Sequence, residues 1–238
     1  MKIKVIIAGG NGFIGHYFRK RFKEEGFEVI AIGRNPTLNS SINWNDDLHI
    51  KNALNNSGIL INLAGKSVNC RYNSANKAEI ISSRINTTQR LSDLICQVDN
   101  PPKLWLNAST ATIYRHAEDH AMTETGGEIG TGFSVEVAQQ WEKTFFETSM
   151  PFTRRVALRM TIVLGKNGGV INPLTNLVKC FLGGKQGNGR QMFSWIHIED
   201  LFRIILFTWE NKNLSGVLNC ASPNPVSKGI NGYFSKNT

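Results

Sequence analysis

Three glycines carry the first chemical signal in the chain. Gly9, Gly12 and Gly15 stand at a G-x-x-G-x-x-G spacing within Gly9-Gly10-Asn11-Gly12-Phe13-Ile14-Gly15. A turn without side chains brings backbone N–H groups close to a phosphate, and a helix starting behind it adds unpaired N–H donors. In this reading the first glycine permits the turn, the second leaves room for a pyrophosphate, and the third lets helix pack closely on strand. The spacing is not G-x-G-x-x-G, and Gly10 does not restore that pattern. The second signal is Arg34, in Gly33-Arg34-Asn35-Pro36, with no acidic residue in the ten positions that follow. In a dinucleotide fold this position meets the adenosine ribose, where an acid favours NAD and an arginine favours the 2′-phosphate of NADP. A guanidinium grips a phosphate through two parallel hydrogen bonds, so the expected cofactor is NADP.

Such groups need a strand before them and a helix after. Lys2 to Ala8 is rich in β-branched residues and enters the glycine turn directly, and Phe18 and Phe22 mark one face of the helix beyond it. Phe27–Ile32 reads as a second strand and Ile42-Asn43-Trp44 as a short third one, within an Asn- and Ser-rich, weakly patterned stretch over 37–58. Gly58–Gly65 reads as a buried strand. A long helix over about 76–98 carries Ile80, Ile81, Ile85, Leu91, Leu94 and Ile95, and Pro101-Pro102 end it. Lys103–Ser109 is the next strand, 134–149 a helix, and Arg154–Leu164 a further strand. Strands separated by helices predict a Rossmann-type, doubly wound parallel sheet in three α/β/α layers.

The 238 residues suffice for one large α/β domain, and 41% hydrophobic with 19% charged residues is ordinary for a globular chain. No apolar run is long enough to span a bilayer, and the N-terminus shows no cleavable signal pattern. Cys70, Cys96, Cys180 and Cys220 are scattered, which argues against a metal site or disulfide framework and for a cytoplasmic setting. The net charge of +9 is dispersed, and Arg19-Lys20-Arg21 reads as a solvated helix face, so nucleic acid is not expected as a partner. A small molecule is the expected partner, and a monomer or homodimer the expected state.

Several further motifs make the pattern specific. Asn62-Leu63-Ala64-Gly65 and Ser109-Thr110-Ala111-Thr112-Ile113-Tyr114 follow the strands after which they stand. Gly65-Lys66-Ser67-Val68, Ser83-Arg84-Ile85-Asn86-Thr87-Thr88, Val163–Gly169, Gly189–Leu201 and Ala221–Val226 complete the set. Together with the glycine loop they resemble the atypical "epimerase family" of NADP-binding extended short-chain dehydrogenase/reductases, often described as nucleoside-diphosphate-sugar epimerases. The resemblance covers about residues 3–227. It implies that Gly9, Asn11, Gly12, Phe13, Ile14 and Gly15 form the phosphate loop, with Gly33 and Arg34 at the end of the second strand. Leu63, Ala64 and Gly65 would line the adenine–ribose side, Glu79 and Arg84 would contact the cofactor, and Val163 would approach the nicotinamide. Asn11 stands where threonine is more usual.

The usual short-chain reductase catalytic motif is absent, a loss the resemblance extends to relatives in this atypical family. Most short-chain reductases use Tyr-x-x-x-Lys, in which the lysine lowers the phenol pKa for proton exchange. Here Gly132-Phe133-Ser134-Val135-Glu136-Val137 puts Phe133 and Val137 at those positions. Thr110 matches the family's serine or threonine and Tyr114 a tyrosine after the fifth strand, so these two are the candidate proton-handling residues. His197 and Asp200 invite a general-base reading, but acids in a first helical turn more simply serve the helix, with Asp200 as a cap. Arg190 follows the Gly-rich run 183–189 and is placed to reach an anionic substrate. Relatives continue past Pro223-Asn224-Pro225-Val226 into a small C-terminal domain, whereas 227–238 is polar and expected to be loosely ordered. The expected organisation is an NADP-binding core over 1–165, remaining sheet elements with a partial, reduced substrate region over 166–226, and the tail 227–238. Two functions fit: an NADP-dependent oxidoreductase or epimerase acting on a carbonyl compound or nucleotide sugar, or a catalytically silent NADPH-binding sensor or interaction module.

Overall fold

Continuous runs of buried residues along the central strands set the architecture. The computed structural model describes residues 2–34, 41–166, 168–171, 179–180 and 189–227. Its elements are β1 (Lys4–Ala8), α1 (Phe13–Glu24), β2 (Glu28–Gly33), β3 (Ser41–Asn43), α2 (Asp47–Leu54), β4 (Ile59–Asn62) and α3 (Ser74–Ile95). These are followed by β5 (Leu104–Thr110), a 3-10 turn (Ala111–Ile113), α4 (Phe133–Glu147), β6 (Arg154–Met160) and β7 (Ile162–Leu164). Next come β8 (Met192–Phe193), β9 (Trp195–His197), α5 (Ile198–Glu210), β10 (Gly216–Cys220) and β11 (Val226–Ser227).

Seven strands form one parallel sheet in the order β10-β6-β5-β4-β1-β2-β3. β1 pairs with β2 on one side (Val5 opposite Val29) and with β4 on the other (Val5 opposite Ile59). The chain therefore winds outward in both directions from β1 and β4. At that reversal the connections leave in opposite directions and open a crevice at the carboxyl ends of the strands. Odd and even strand positions face different layers. Val5, Ile7, Ile59, Ile61, Leu104 and Leu106 pack with Phe18, Phe22 and Phe202 of α1 and α5. Ile6, Leu60, Trp105 and Ala157 pack with Leu54, Leu91 and Phe145 of α2, α3 and α4. The sheet is thus buried on both faces, as the continuous apolar strands require. Each fully buried large side chain contributes about 1.5–3 kcal/mol of transfer free energy.

Three boundaries differ from the sequence reading. The weakly patterned stretch holds α2, whose N-cap Asp46 accepts from His49 N and whose Ile50, Ala53 and Leu54 are buried. The single strand expected over Arg154–Leu164 is two. At Thr161 the backbone N–H bonds to Cys220 O and that of Ile162 to Ser194 O, so the chain leaves the large sheet and β7 pairs with β9. The cap of α5 is His197, whose Nδ1 accepts from Glu199 N at 3.3 Å, and not Asp200. The tail 228–238 and most of the Gly-rich run at 183–189 lie outside the described residues.

α1 and α5 are tied by one carboxylate. Glu199 accepts from the Tyr17 hydroxyl and from Arg21 Nε and Nη2, each 3.1 Å away for the arginine. Burial works to raise this carboxyl, but the bonds from Tyr17 and Arg21 outweigh it and hold it below the usual carboxylate range. A carboxyl lowered by folding contributes stability above its unfolded-state pKa and loses that contribution as pH falls through the folded one. Glu199→Gln is therefore expected to cost on the order of 1 kcal/mol near neutral pH, after allowance for solvent screening. The difference from wild type should shrink as pH falls from neutral through the lowered folded-state pKa into strong acid. Urea unfolding at neutral pH and in strong acid checks this; a loss of equal size at each would place the effect in packing rather than charge.

Candidate functional site

The crevice at the reversal of the sheet holds a cavity of about 610 Å³. Its floor is the glycine turn after β1. Gly9 takes φ +78°, and a Cβ there would stand 2.8 Å from the Leu63 carbonyl carbon and 2.9 Å from Ala64 N. At Gly15 a Cβ would stand 2.5 Å from Gly9 O, so the first turn of α1 packs directly on the loop. Gly12 is different. Its φ is −74°, and an added Cβ would meet Gly9 O at 3.4 Å, an ordinary contact, while projecting where the residue lines the cavity. Gly12 is also the N-cap of α1, with no side-chain cap and no acid in the first turn. The helix therefore presents its positive end and unpaired N–H groups to the cavity.

Asn62 builds the opposite wall. Its Nδ2 donates to Asn107 Oδ1 at 2.7 Å and to Thr88 Oγ1 at 3.1 Å, and its Oδ1 accepts from Ala64 N at 3.1 Å. Trp141 Nε1 donates to the same Thr88 oxygen at 2.9 Å. These buried bonds turn the chain sharply after β4, so that Leu63, Ala64 and Gly65 line the cavity. Arg84 lies across Gly65, donating to Lys66 O at 3.1 Å and Ile80 O at 3.0 Å, with its guanidinium 5.1 Å from the Trp141 ring centroid. Burial lowers its pKa, partly opposed by the nearby Tyr72, yet an arginine so shifted still carries its charge at neutral pH.

Of the residues singled out from sequence, Gly9, Gly12, Phe13, Ile14, Gly15, Leu63, Ala64, Gly65, Arg84, Thr110 and Val163 line this one cavity. Five stand behind or beside it. Asn11 accepts from Arg19 Nη1 at 3.1 Å, and its amide faces Gly33, where a Cβ would be 3.2 Å from Nδ2. Arg34 follows β2 and is exposed. Its carbonyl accepts from Asn43 Nδ2 at 3.0 Å. Glu79 pairs with Lys66 and so fixes a cation that itself lines the cavity. Tyr114 sits deeper: its hydroxyl donates to Asn219 Oδ1 and accepts from Arg159 Nη1, both at 2.8 Å. Thr110 Oγ1 lies 2.9 Å from Thr112 Oγ1 and accepts from Thr112 N at 3.2 Å.

Other site residues were not apparent from sequence. Arg19, expected on a solvated face, is only 6% exposed. Its side chain runs back toward the N-terminus of α1, as helical side chains do, and passes over Gly10 to reach Asn11. Behind Thr110, Ser109 donates to Glu142 Oε1 at 2.6 Å, and Glu142 is held by Arg159 through Nε at 2.9 Å and Nη2 at 2.8 Å. Phe133 and Val137, at the sites of the missing tyrosine and lysine, both line the cavity. Arg190, expected to reach a substrate, has its guanidinium on Glu118 at 2.9 Å. Among the described residues no three or more His, Cys, Asp or Glu come together to hold a metal, and no helix is long and apolar enough to cross a membrane.

Comparison with known proteins agrees with this geometry. The chain is 33% identical over 234 residues to the epimerase family protein SH2119 of Staphylococcus haemolyticus, covering 96% of this chain and 78% of that one. The crystal structure of human epimerase family protein SDR39U1 with NADPH superposes with a TM-score of 0.87 at 29% identity, covering 95% of this chain and 77% of that one. The nucleoside-diphosphate sugar epimerase of Corynebacterium glutamicum gives a TM-score of 0.81 at 29% identity, over 96% and 48% of the two chains. The model of the NAD dependent epimerase/dehydratase family matches residues 5–221. With a glycine turn, a parallel sheet reversing at β1 and β4, and a match over nearly its whole length, the chain belongs to the NAD dependent epimerase/dehydratase family.

Proposed function

We propose that this chain binds NADP(H) and acts as an oxidoreductase or nucleoside-diphosphate-sugar epimerase on a small carbonyl compound or nucleotide sugar. The observation that carries the reading is the room at Gly12, beside an uncapped helix N-terminus, at the one place where the sheet reverses. The 29%-identical human relative bound to NADPH supports the choice of cofactor. In this reading Gly9–Gly15 hold the pyrophosphate and Arg34 the 2′-phosphate. Asn11 joins the loop to Gly33 at the end of β2. Leu63, Ala64, Gly65 and Arg84 hold the adenosine half, Glu79 steadies Lys66, and Val163 borders the nicotinamide end. Bound there, the dinucleotide supplies or withdraws hydride.

Thr110 offers a hydroxyl to the substrate oxygen from the cavity wall. Tyr114, with both its donor and acceptor capacity used inside the protein, anchors β5 against β6 and β10 through Arg159 and Asn219. The organisation we propose is a cofactor core over 1–165 followed by further sheet elements and part of the substrate region over 166–226. The free thiols of Cys70, Cys96, Cys180 and Cys220 suit a reducing cytoplasm. A silent NADPH sensor is the second reading, favoured by Phe133 and Val137 in the cavity wall. A hydride-transfer screen of aldehydes, ketones and nucleotide sugars with NADPH separates the two: bound cofactor without turnover selects the sensor.

Two glycines test the cradle by opposite outcomes. Gly12→Val has an allowed φ and meets only Gly9 O, at an ordinary 3.4 Å, so the variant should fold while losing NADPH binding by at least about tenfold, which is a difference of about 1.4 kcal/mol. Gly9→Val, at φ +78° and against the Leu63–Ala64 backbone, should lower the melting temperature whether or not cofactor is present. Circular dichroism and fluorescence titration with NADPH read both. A folded Gly12→Val protein with wild-type affinity would reduce the loop to a turn.

Arg34 tests cofactor choice. Arg34→Asp is expected to weaken NADPH binding by about 1.5–3 kcal/mol, the range for hydrogen bonds to charged groups, and NADH much less. Calorimetry with both cofactors gives the comparison, and equal losses would remove Arg34 from the 2′-phosphate.

A further inference from the structure

The cavity lacks the usual phenol on α4 but contains another. Tyr72, in the loop between β4 and α3, is the one tyrosine among the described lining residues. Its ring meets Phe133 edge to face, with centroids 5.5 Å apart and planes at 69°. A phenol therefore stands against the very residue that occupies the tyrosine position. Among the described residues no hydrogen bond takes up the Tyr72 hydroxyl, and the side chain is 44% exposed.

Of the other hydroxyls named above, Ser109 donates to Glu142 and Tyr114 to Asn219, while Thr110 shares one bond with Thr112 and can hydrogen-bond the substrate oxygen beside the proton donor. One cation lies beside the aromatic pair: Lys77 Nζ is 5.2 Å from the Phe133 ring centroid.

We propose that Tyr72 is the proton donor of this site, a phenol supplied by the loop after β4 where α4 has none; this rests on the NADP(H) reading above. With hydride delivered to a substrate carbonyl carbon from a reduced nicotinamide dinucleotide, the C=O π pair moves onto oxygen. The Tyr72 O–H bond then breaks and its proton passes to that oxygen, giving an alcohol and a phenolate. Lys77, with Nζ 5.2 Å from the Phe133 ring centroid, is a cation beside the aromatic pair, and the exposure of Tyr72 lets water return the proton. In the epimerase or oxidation direction the same atoms run in reverse.

Tyr72→Phe keeps the ring on Phe133 and removes only the proton. Three measurements on the full chain test it. NADPH affinity by fluorescence should stay within about twofold, because the hydroxyl does not hold the cofactor. Turnover in the carbonyl screen should fall about 10²–10⁴-fold, the usual share of general acid–base assistance. Binding of benzamide, an unreactive carbonyl, to the NADPH-loaded protein should weaken roughly fivefold by ligand-observed NMR, as expected for one lost hydrogen bond. Tyr72→Phe protein that keeps the wild-type rate and benzamide affinity overturns the proposal. So does wild-type protein that binds NADPH and reduces no carbonyl. Wild-type protein that fails to bind NADPH overturns the cofactor reading, and this proposal with it.

Discussion

The fold turns on one close approach, that of the backbone after β1 to the backbone after β4. Gly9 lies where a Cβ would come within 2.9 Å of both Leu63 and Ala64, and Gly9 N bonds to Ile32 O at 2.9 Å. A single residue thereby touches the ends of three strands. If Gly9 carried a side chain, β1 and β4 would separate at their carboxyl ends, Gly15 would lose its seat on Gly9 O, and α1 would tilt away from the sheet. The crevice would widen and the helix N-terminus would no longer point into it. Because interiors are close-packed, such a shift is not absorbed locally. The geometry of the cavity is in this sense a consequence of missing side chains more than of any present.

Polar groups hold the other wall, and they do so as connected sets. Asn62 joins β4 to Asn107 of β5, to Thr88 of α3 and to its own chain at Ala64, while Trp141 of α4 shares the Thr88 hydroxyl. A second set runs from Ser109 through Glu142 and Arg159 to Tyr114 and Asn219, crossing from β5 to α4, β6 and β10. The Glu142 and Arg159 side chains are only 11% and 10% exposed. Removing one partner of such a pair leaves a buried charge uncompensated, which is strongly destabilising even where the pair itself contributes little net stability. The two networks therefore specify where the strand ends stand more than they add stability. Thr110, at the end of β5, inherits its position from them.

Local pattern was enough to read β1 to β6, the glycine turn and the parallel sheet, because each depends on residues within a few positions of one another; β10, at the sheet's edge, was not read. What was not legible depends on distance. Tyr114 reads as an available hydroxyl until Asn219, 105 residues later, is brought against it. Arg19 reads as solvated because its neighbours are Lys20 and Arg21; only the packing of α1 on the glycine loop shows it buried on Asn11. The helix α2 was hidden by polar composition, its three buried residues being too few to show a helical period. The break at Thr161 was hidden for the opposite reason: strand-forming residues lie on both sides of it, Val156–Leu158 before and Ile162–Leu164 after, and only the change of partner from Cys220 to Ser194 marks it. The glycine spacing did not distinguish the roles of Gly9 and Gly12 by sign of φ, which only the backbone shows.

The charge of the cavity follows a different rule from the charge of the surface. Much of the excess of basic residues that gives +9 sits on the outside, and many surface arginines are paired: Arg21 with Glu24, Glu25 and Glu199, Arg90 with Asp47, and Arg115 with Asp119 and Glu128. Such exposed pairs are screened and bias little. Inside the cavity Arg84 is held by two carbonyl oxygens and an aromatic face, none of which neutralises it. With the positive end of α1 on the facing wall and apolar side chains among the lining, that charge is less screened than one on an open surface. No carboxylate lines the cavity among the described residues. A field of one sign, focused in a crevice with apolar walls, selects an anion that is also partly hydrophobic. A dinucleotide has both properties, and an inorganic phosphate has only the first.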